Sequence, residues 1–472
     1  MPVLDAHRFS AEPWWTDSGC RQRVDTLTRE AINGSQRPFQ VLTCTPGGVH
    51  LGAVTHSFMQ MIEHAGLVGV RRAGRSMLRW LIVERGRCPS VDEMADALSA
   101  RGVEVVRRPA PSSADRCIAD GRQALLSAAA TLDLEDDPIV LLLDDDLAFD
   151  ALYSGPDGVE LGAPWPWLPA IWSFHAAHPE IDVALGGVTG APPLPASSTL
   201  STNLFDLEAA RHAWPTSSTA ARWSEIDHYY DLSPVRTIRD PYPMLGLALE
   251  GSALLDALMI HGTLARPLVA TPTTLARTRP VPIVRGGNTI VFDRAWLKLP
   301  HPRAQLGGLR PRRADTIWAQ AAASVHGCRL GQFPLPLRHL RDETGWTAQS
   351  ASRWRERLVA DLVGVGLYRG IERWRARASW PRADLLMRAA NEVLETCEVR
   401  RREVSKAVHE AGRRCAGLLD WRPELEAVAV AINEGLTAIT ALDFGRDAIV
   451  SLLADLSDSL TMPPGPAQED RA

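Results

Sequence analysis

Between residues 39 and 149, short apolar runs of β type alternate with longer stretches whose apolar positions recur every three to four residues. That alternation is the pattern of a parallel α/β sheet built from crossover units. The predicted strands cover 39–43, 78–83, 102–106 and 138–143, and the predicted helices 54–66, 91–100 and 116–132. The second helix carries a capping signal, Ser90 with Glu93 three residues on. Each strand runs into a polar or glycine-bearing loop. In open α/β sheets ligands bind outside the carboxyl ends of the strands, so those loops are where chemistry is expected.

The pattern becomes less regular after Asp150. Residues 163–179 set Trp165, Trp167 and Trp172 among prolines, as core or as a stacking platform. Residues 182–189 read as a strand ending in Gly186 and Gly187, and an amphipathic helix is predicted over 207–223 ahead of a proline-rich tract. A strand-like run over 282–292 surrounds Arg285-Gly286-Gly287-Asn288; a helix over 313–326 and a strand over 330–337 follow. From residue 347 the chain turns to long Ala/Leu/Arg/Glu-rich helices, predicted over 350–378, 382–418, 424–442 and 446–460. The expected organisation is an N-terminal extension (1–35), an α/β domain (36–346) with an insertion at about 190–280, a helical domain (347–461) and a disordered tail (462–472).

Composition narrows the function classes. A formal net charge of -5 gives no electrostatic footprint for nucleic acid, so no nucleic-acid partner is expected. Basic charge comes almost wholly from arginine, since lysine stands only at Lys298 and Lys406. The 7 cysteines are scattered without a C-x-x-C spacing, which indicates neither a disulfide framework nor a zinc knuckle and fits a reducing cytoplasm. No run of about 18 uncharged apolar residues occurs, so no transmembrane segment is expected.

The segment Pro138-Ile-Val-Leu-Leu-Leu-Asp-Asp-Asp-Leu-Ala-Phe149 carries the most chemistry, because a buried strand there delivers three adjacent carboxylates to its carboxyl end. Strand alternation would turn Asp144 and Asp146 to one side and Asp145 to the other. Like charges this close raise one another's pKa unless a cation offsets them, and Mg2+ or Mn2+ completed by phosphate oxygens is the natural partner. The alternative is a solvated acidic turn after a core strand.

This segment resembles the Asp-x-Asp stretch of A-type (GT-A) glycosyltransferases, family 2 above all, and further segments match in the same order over residues 39–342. The resemblance implies a metal-dependent, hexosyltransferase-like enzyme that moves a sugar from a nucleotide-diphosphate donor to an acceptor hydroxyl with inversion. It implies donor contacts at Thr45 and Pro46, at Glu84, at Arg122 beside the diphosphate, and at Asp144 and Asp145. Arg85-Gly86-Arg87 stands where the family has a second Asp followed by Gly-Ser. On the acceptor side it implies Gly286, Gly287 and Asn288, where glycine lets backbone approach a sugar closely, and it implies Asp315 as general base. Asp144, Asp146 and His339 are the implied metal ligands, and 190–280 the acceptor-side insertion. The acceptor class, whether glycan, small molecule or protein, is open.

Each of these residues also has a plainer reading. Asp315 could decorate a helix start, Glu84 could pair with an arginine, Arg122 could be an ordinary helix residue and His339 a surface histidine. An Asp-x-Asp phosphohydrolase needs a downstream lysine that Lys298 and Lys406 are poorly placed to supply, and a P-loop ATPase needs a Walker loop that is absent. A sugar nucleotidyltransferase needs a richer loop than Pro46-Gly47-Gly48. A noncatalytic sugar- or nucleotide-binding assembly protein on the same fold remains the rival from another class. The C-terminal helices offer a surface for homo-oligomers without a clean heptad repeat.

Overall fold

In the computed structural model, described over residues 9–10, 18–33, 35–110, 118–132, 137–155, 158–162, 167–190, 204, 207–208, 211–212, 244–246, 268–270, 289–301, 311–340, 348–375 and 385–460, the first third of the chain contains a parallel layer. Its elements are β1 (Phe9–Ser10), α1 (Ser18–Ile32), β2 (Phe39–Thr45), α2 (Leu51–His64), a small hairpin of β3 (Arg71–Arg72) and β4 (Arg75–Ser76), β5 (Leu78–Glu84), α3 (Pro89–Ala100), β6 (Glu104–Pro109), α4 (Ile118–Ala130) and β7 (Ile139–Leu143). β2, β5, β6 and β7 are parallel, in the order β7-β2-β5-β6. Alternate residues explain why helices cover both faces. Leu42, Leu81, Val140 and Leu142 enter one buried cluster, whereas Val41, Trp80, Ile82 and Leu141 enter another.

The chain steps outward from β2 to β5 and β6, then crosses back through α4 to lay β7 on the opposite side of β2. This reversal puts a topological switch point at the carboxyl ends of β2 and β7, the place where open α/β sheets take ligands.

The predicted elements here are present, with corrected ends. β6 starts after Gly102, whose φ of 79° belongs to a turn. The expected Ser90–Glu93 capping box does not form: Cys88 is the N-cap, Pro89 opens α3, and no side chain caps it. Proline suits the first helical position because its fixed φ is helical and its missing N–H would have been unpaired.

Beyond β7 the sheet becomes mixed. β8 (Leu147–Ala148) and the hairpin β9 (Ala151–Gly155) and β10 (Gly158–Gly162) lead to α5 (Trp167–Ala177), β11 (Val183–Gly190), β12 (Met244–Gly246), β13 (Leu268–Ala270), β14 (Thr289–Asp293), α6 (Ala314–Val325) and β15 (Leu330–His339). β14 lies antiparallel between β7 and β11, and β15 runs parallel to β11 as far as His339, with Arg338 and His339 also pairing antiparallel with β8. That last pairing carries His339 to the Asp run. Trp167 and Trp172 are core: both are buried, with indole N–H groups donating to Leu335 O at 3.1 Å and Arg37 O at 3.0 Å. The helix expected over 207–223, the strand-like start of 282–288 and the 462–472 tail lie largely or wholly outside the described residues.

Among the described residues, four α-helices follow: α7 (Ala348–Arg375), α8 (Leu386–Leu418), α9 (Glu426–Thr440) and α10 (Arg446–Leu460). Gly366 and Gly370, one turn apart on α7, let it approach α8 closely; a Cβ at Gly370 would lie 2.7 Å from Val393 Cα. Among the described residues, no helix is long and apolar enough to cross a membrane.

Candidate functional site

β2 delivers Thr45 to the switch point, and β7 delivers the three aspartates. The ladder of β7 ends at Leu143, and Asp145 and Asp146 lie in a turn, so strand alternation no longer sets their directions. The three carboxylates instead take three different partners. Thr45 Oγ1 donates to Asp145 Oδ2 at 2.6 Å across the switch point, while accepting from the backbone N–H groups of Gly47 and Gly48 at 2.9 and 3.3 Å. Pro46 is exposed on that loop. Asp146 Oδ2 lies 3.4 Å from His339 Nε2, and its carbonyl accepts from Leu340 N at 2.7 Å. Next to His339, Arg338 forms a two-pronged pair with buried Asp150 at 2.5 and 2.7 Å, which fixes the end of β15.

Asp144 is turned toward α4, where buried Arg122 donates to its Oδ1 at 2.7 Å. Gly121 lets α4 come this close: a Cβ there would lie 2.9 Å from both Cys44 Sγ and Arg85 Nη2. The same Arg122 nitrogen reaches Asp315 Oδ2 at 3.5 Å, so one guanidinium spans two carboxylates. Asp315 stands in the first turn of α6, but its side chain does not cap that helix. Its Oδ1 meets Nε2 of buried His301 at 2.8 Å, and the His301 backbone N–H donates to Gln123 Oε1 at 2.6 Å.

Electrostatics separates the two acids that Arg122 joins. Burial pushes the Asp144 carboxyl up, Arg122 pulls it down, and Asp146, Asp315 and Asp145 add to the rise, leaving it at about 8. Burial also pushes Asp315 up, but Arg122 and the His301 hydrogen bond outweigh it and hold the carboxyl below its ordinary value. Asp315 is therefore kept ionised.

Glu84 sits at the end of β5, yet its carboxylate is engaged by Arg107 at 2.9 and 3.0 Å, and Arg107 also meets Asp92 at 2.5 Å. Thr45, Asp144, Asp145, Asp146, Arg122, Asp315 and His339 thus gather around one rim, Glu84 faces an arginine, and Gly286, Gly287 and Asn288 lie outside the described residues. His301 was not singled out in the sequence. Its signal is tertiary: nothing in Leu299-Pro300-His301 relates it to an aspartate 14 positions on.

Among the described residues, no three Asp, Glu, His or Cys side chains converge as a ready-made metal cage. Mg2+ and Mn2+ do not require one, being held through one or two carboxylates and completed by phosphate oxygens and water. Asp146 with His339 beside it is a donor set of that open kind. No protein-family model and no curated protein matches this chain.

Proposed function

We propose that the chain is a metal-dependent glycosyltransferase that binds a nucleotide-diphosphate sugar across the β2–β7 rim and passes the sugar to an acceptor hydroxyl with inversion. The observation supporting this reading most is the carboxylate run at a topological switch point, with Thr45, Arg122 and His339 each holding one of its members. A divalent cation held by Asp146 and His339 would supply positive charge against the charge that builds on the departing nucleoside diphosphate.

The chain's own residues would do the rest. Arg122, planar and always charged, is the rim's fork for phosphate oxygens, and Asp144 orients it. Asp315, kept ionised by Arg122 and His301, can accept the proton of the acceptor hydroxyl. Its low basicity places that transfer late, when the hydroxyl oxygen is already bonding to the anomeric carbon and has become acidic.

The test is calorimetry with a panel of nucleoside diphosphates, in Mn2+ and in chelator, followed by a mass-spectrometric screen of nucleotide sugars for turnover. Binding should need the metal and should weaken about tenfold or more in Asp146→Ala. Equal binding by the variant, or indifference to chelator, would sink the reading. A noncatalytic sugar- or nucleotide-binding assembly protein is the second reading, because Glu84, one of the donor contacts expected of a transferase, is engaged instead by Arg107, which also meets Asp92. Metal-dependent binding with no turnover of any donor would select it.

A further inference from the structure

The helix that carries Asp315 begins at Arg313, which has φ 74° and ψ 24°. A residue with a Cβ seldom adopts that left-handed conformation, and a non-glycine residue held there points to a surrounding structure that imposes it. The C-terminal bundle holds this turn at several points. Arg312 N donates to Ala360 O of α7 at 3.0 Å, and Arg313 Nη2 pairs with Asp361 Oδ1 at 3.2 Å. One turn along, Gly364 lies against the backbone of Arg312 so closely that a Cβ would overlap its carbonyl oxygen. Asp361 is 2% exposed and is itself fixed: Arg400, fully buried on α8, lies 3.9 Å from it and 3.3 Å from Glu403. The bundle also grips the chain at residues 208 and 211, through the Arg414–Glu208 pair and Arg211–Asp420 at 2.9 Å.

A helix could dock on this bundle through apolar contacts alone. Here a buried carboxylate and a glycine-sized gap are spent on a single turn, two residues before the carboxylate that Arg122 and His301 hold. We infer that the C-terminal bundle is a positioning element of the site: Asp361 and Gly364 set the turn at Arg312 and Arg313, and through it the place of Asp315 relative to Arg122 and Asp144. The structural half of this inference stands without the transferase reading; its kinetic half rests on that reading.

The experiment uses the full chain and the variants Asp361→Asn, Gly364→Ala, Asp315→Asn and Asp361→Asn with Asp315→Asn. Hydrogen exchange followed by mass spectrometry should show amides 312–318 exchanging about tenfold faster in Asp361→Asn and in Gly364→Ala, with α8 unchanged. With whichever donor is turned over, kcat should fall about tenfold to a hundredfold in Asp361→Asn at unchanged donor KM. The double variant should be no slower than Asp315→Asn alone, a non-additivity that a purely structural role would not produce. Unchanged exchange at 312–318 in both variants, loss of α8 protection in both, or effects that multiply in the double variant would each overturn the inference. If no donor is turned over, the transferase reading fails, and the exchange result still decides whether the bundle sets the turn.

Discussion

Thr45 shows how much one hydroxyl can organise. It is fully buried, gives its proton to Asp145 and takes two backbone N–H groups from the following loop, so the loop and the acidic turn share a single anchor. Valine matches its shape but offers neither function. Thr45→Val should cost about 1.5–3 kcal/mol, the usual loss for a hydrogen bond to a charged group, and Thr45→Ser should recover most of it. Urea titrations of the three proteins measure this, and equal midpoints would mean the anchor is not needed. At this scale the aspartates were legible, because three adjacent carboxylates after a buried strand are a local signal. Their directions were not, since the strand ends at Leu143 and partners contributed by β2, α4 and β15 take over. His301 was invisible for the same reason, since it joins the rim only through a contact with Asp315 that the fold makes.

Among elements, the long periodic ones were legible: the parallel strands, their crossover helices and the four C-terminal helices all appear close to their predicted positions. α5 and the β9–β10 hairpin were not. The first is a helix with a proline inside it and apolar residues around nearly all its circumference, so it has no amphipathic stripe to read. Glycines on the bundle give a sharper test of element packing. Alanine is the better helix former by about 1 kcal/mol, so its effect should change sign with the space around the glycine. At Gly370 a Cβ would press on the α8 backbone at Val393, and Gly370→Ala should destabilise by about 1–3 kcal/mol despite the propensity gain. Gly417, near the end of α8, has nothing within 4 Å of such a Cβ, and Gly417→Ala should stabilise by about 0.4–1 kcal/mol. Two shifts of the same sign in chemical denaturation would contradict the close approach of α7 to α8.

At the scale of the molecule, one buried cluster runs without a break from Leu42, Leu142 and Ile290 on the sheet, through Ile317 and Trp318 of α6, to Leu362, Val393, Cys397 and Cys415 of the bundle. Two regions that sequence composition separates at about residue 347 therefore share their core, and shared apolar surface makes each region's stability depend on the other. The protein carries its own probes for this. Burial pushes the thiols of Cys397 and Cys415 in the bundle up to about 12 and about 11, and raises that of Cys328 just before β15, so all three should resist alkylation while folded. Pulse alkylation along a urea titration, read cysteine by cysteine in the mass spectrometer, should give one coincident transition. Leu362→Ala, which empties a fully buried site on α7, should move all three cysteines together by about 2–5 kcal/mol. If Cys397 and Cys415 became reactive at a lower urea concentration than Cys328, the bundle would be opening on its own while the sheet stayed folded. Asp315 would then lose the support of Asp361 at denaturant concentrations where its own strands still held.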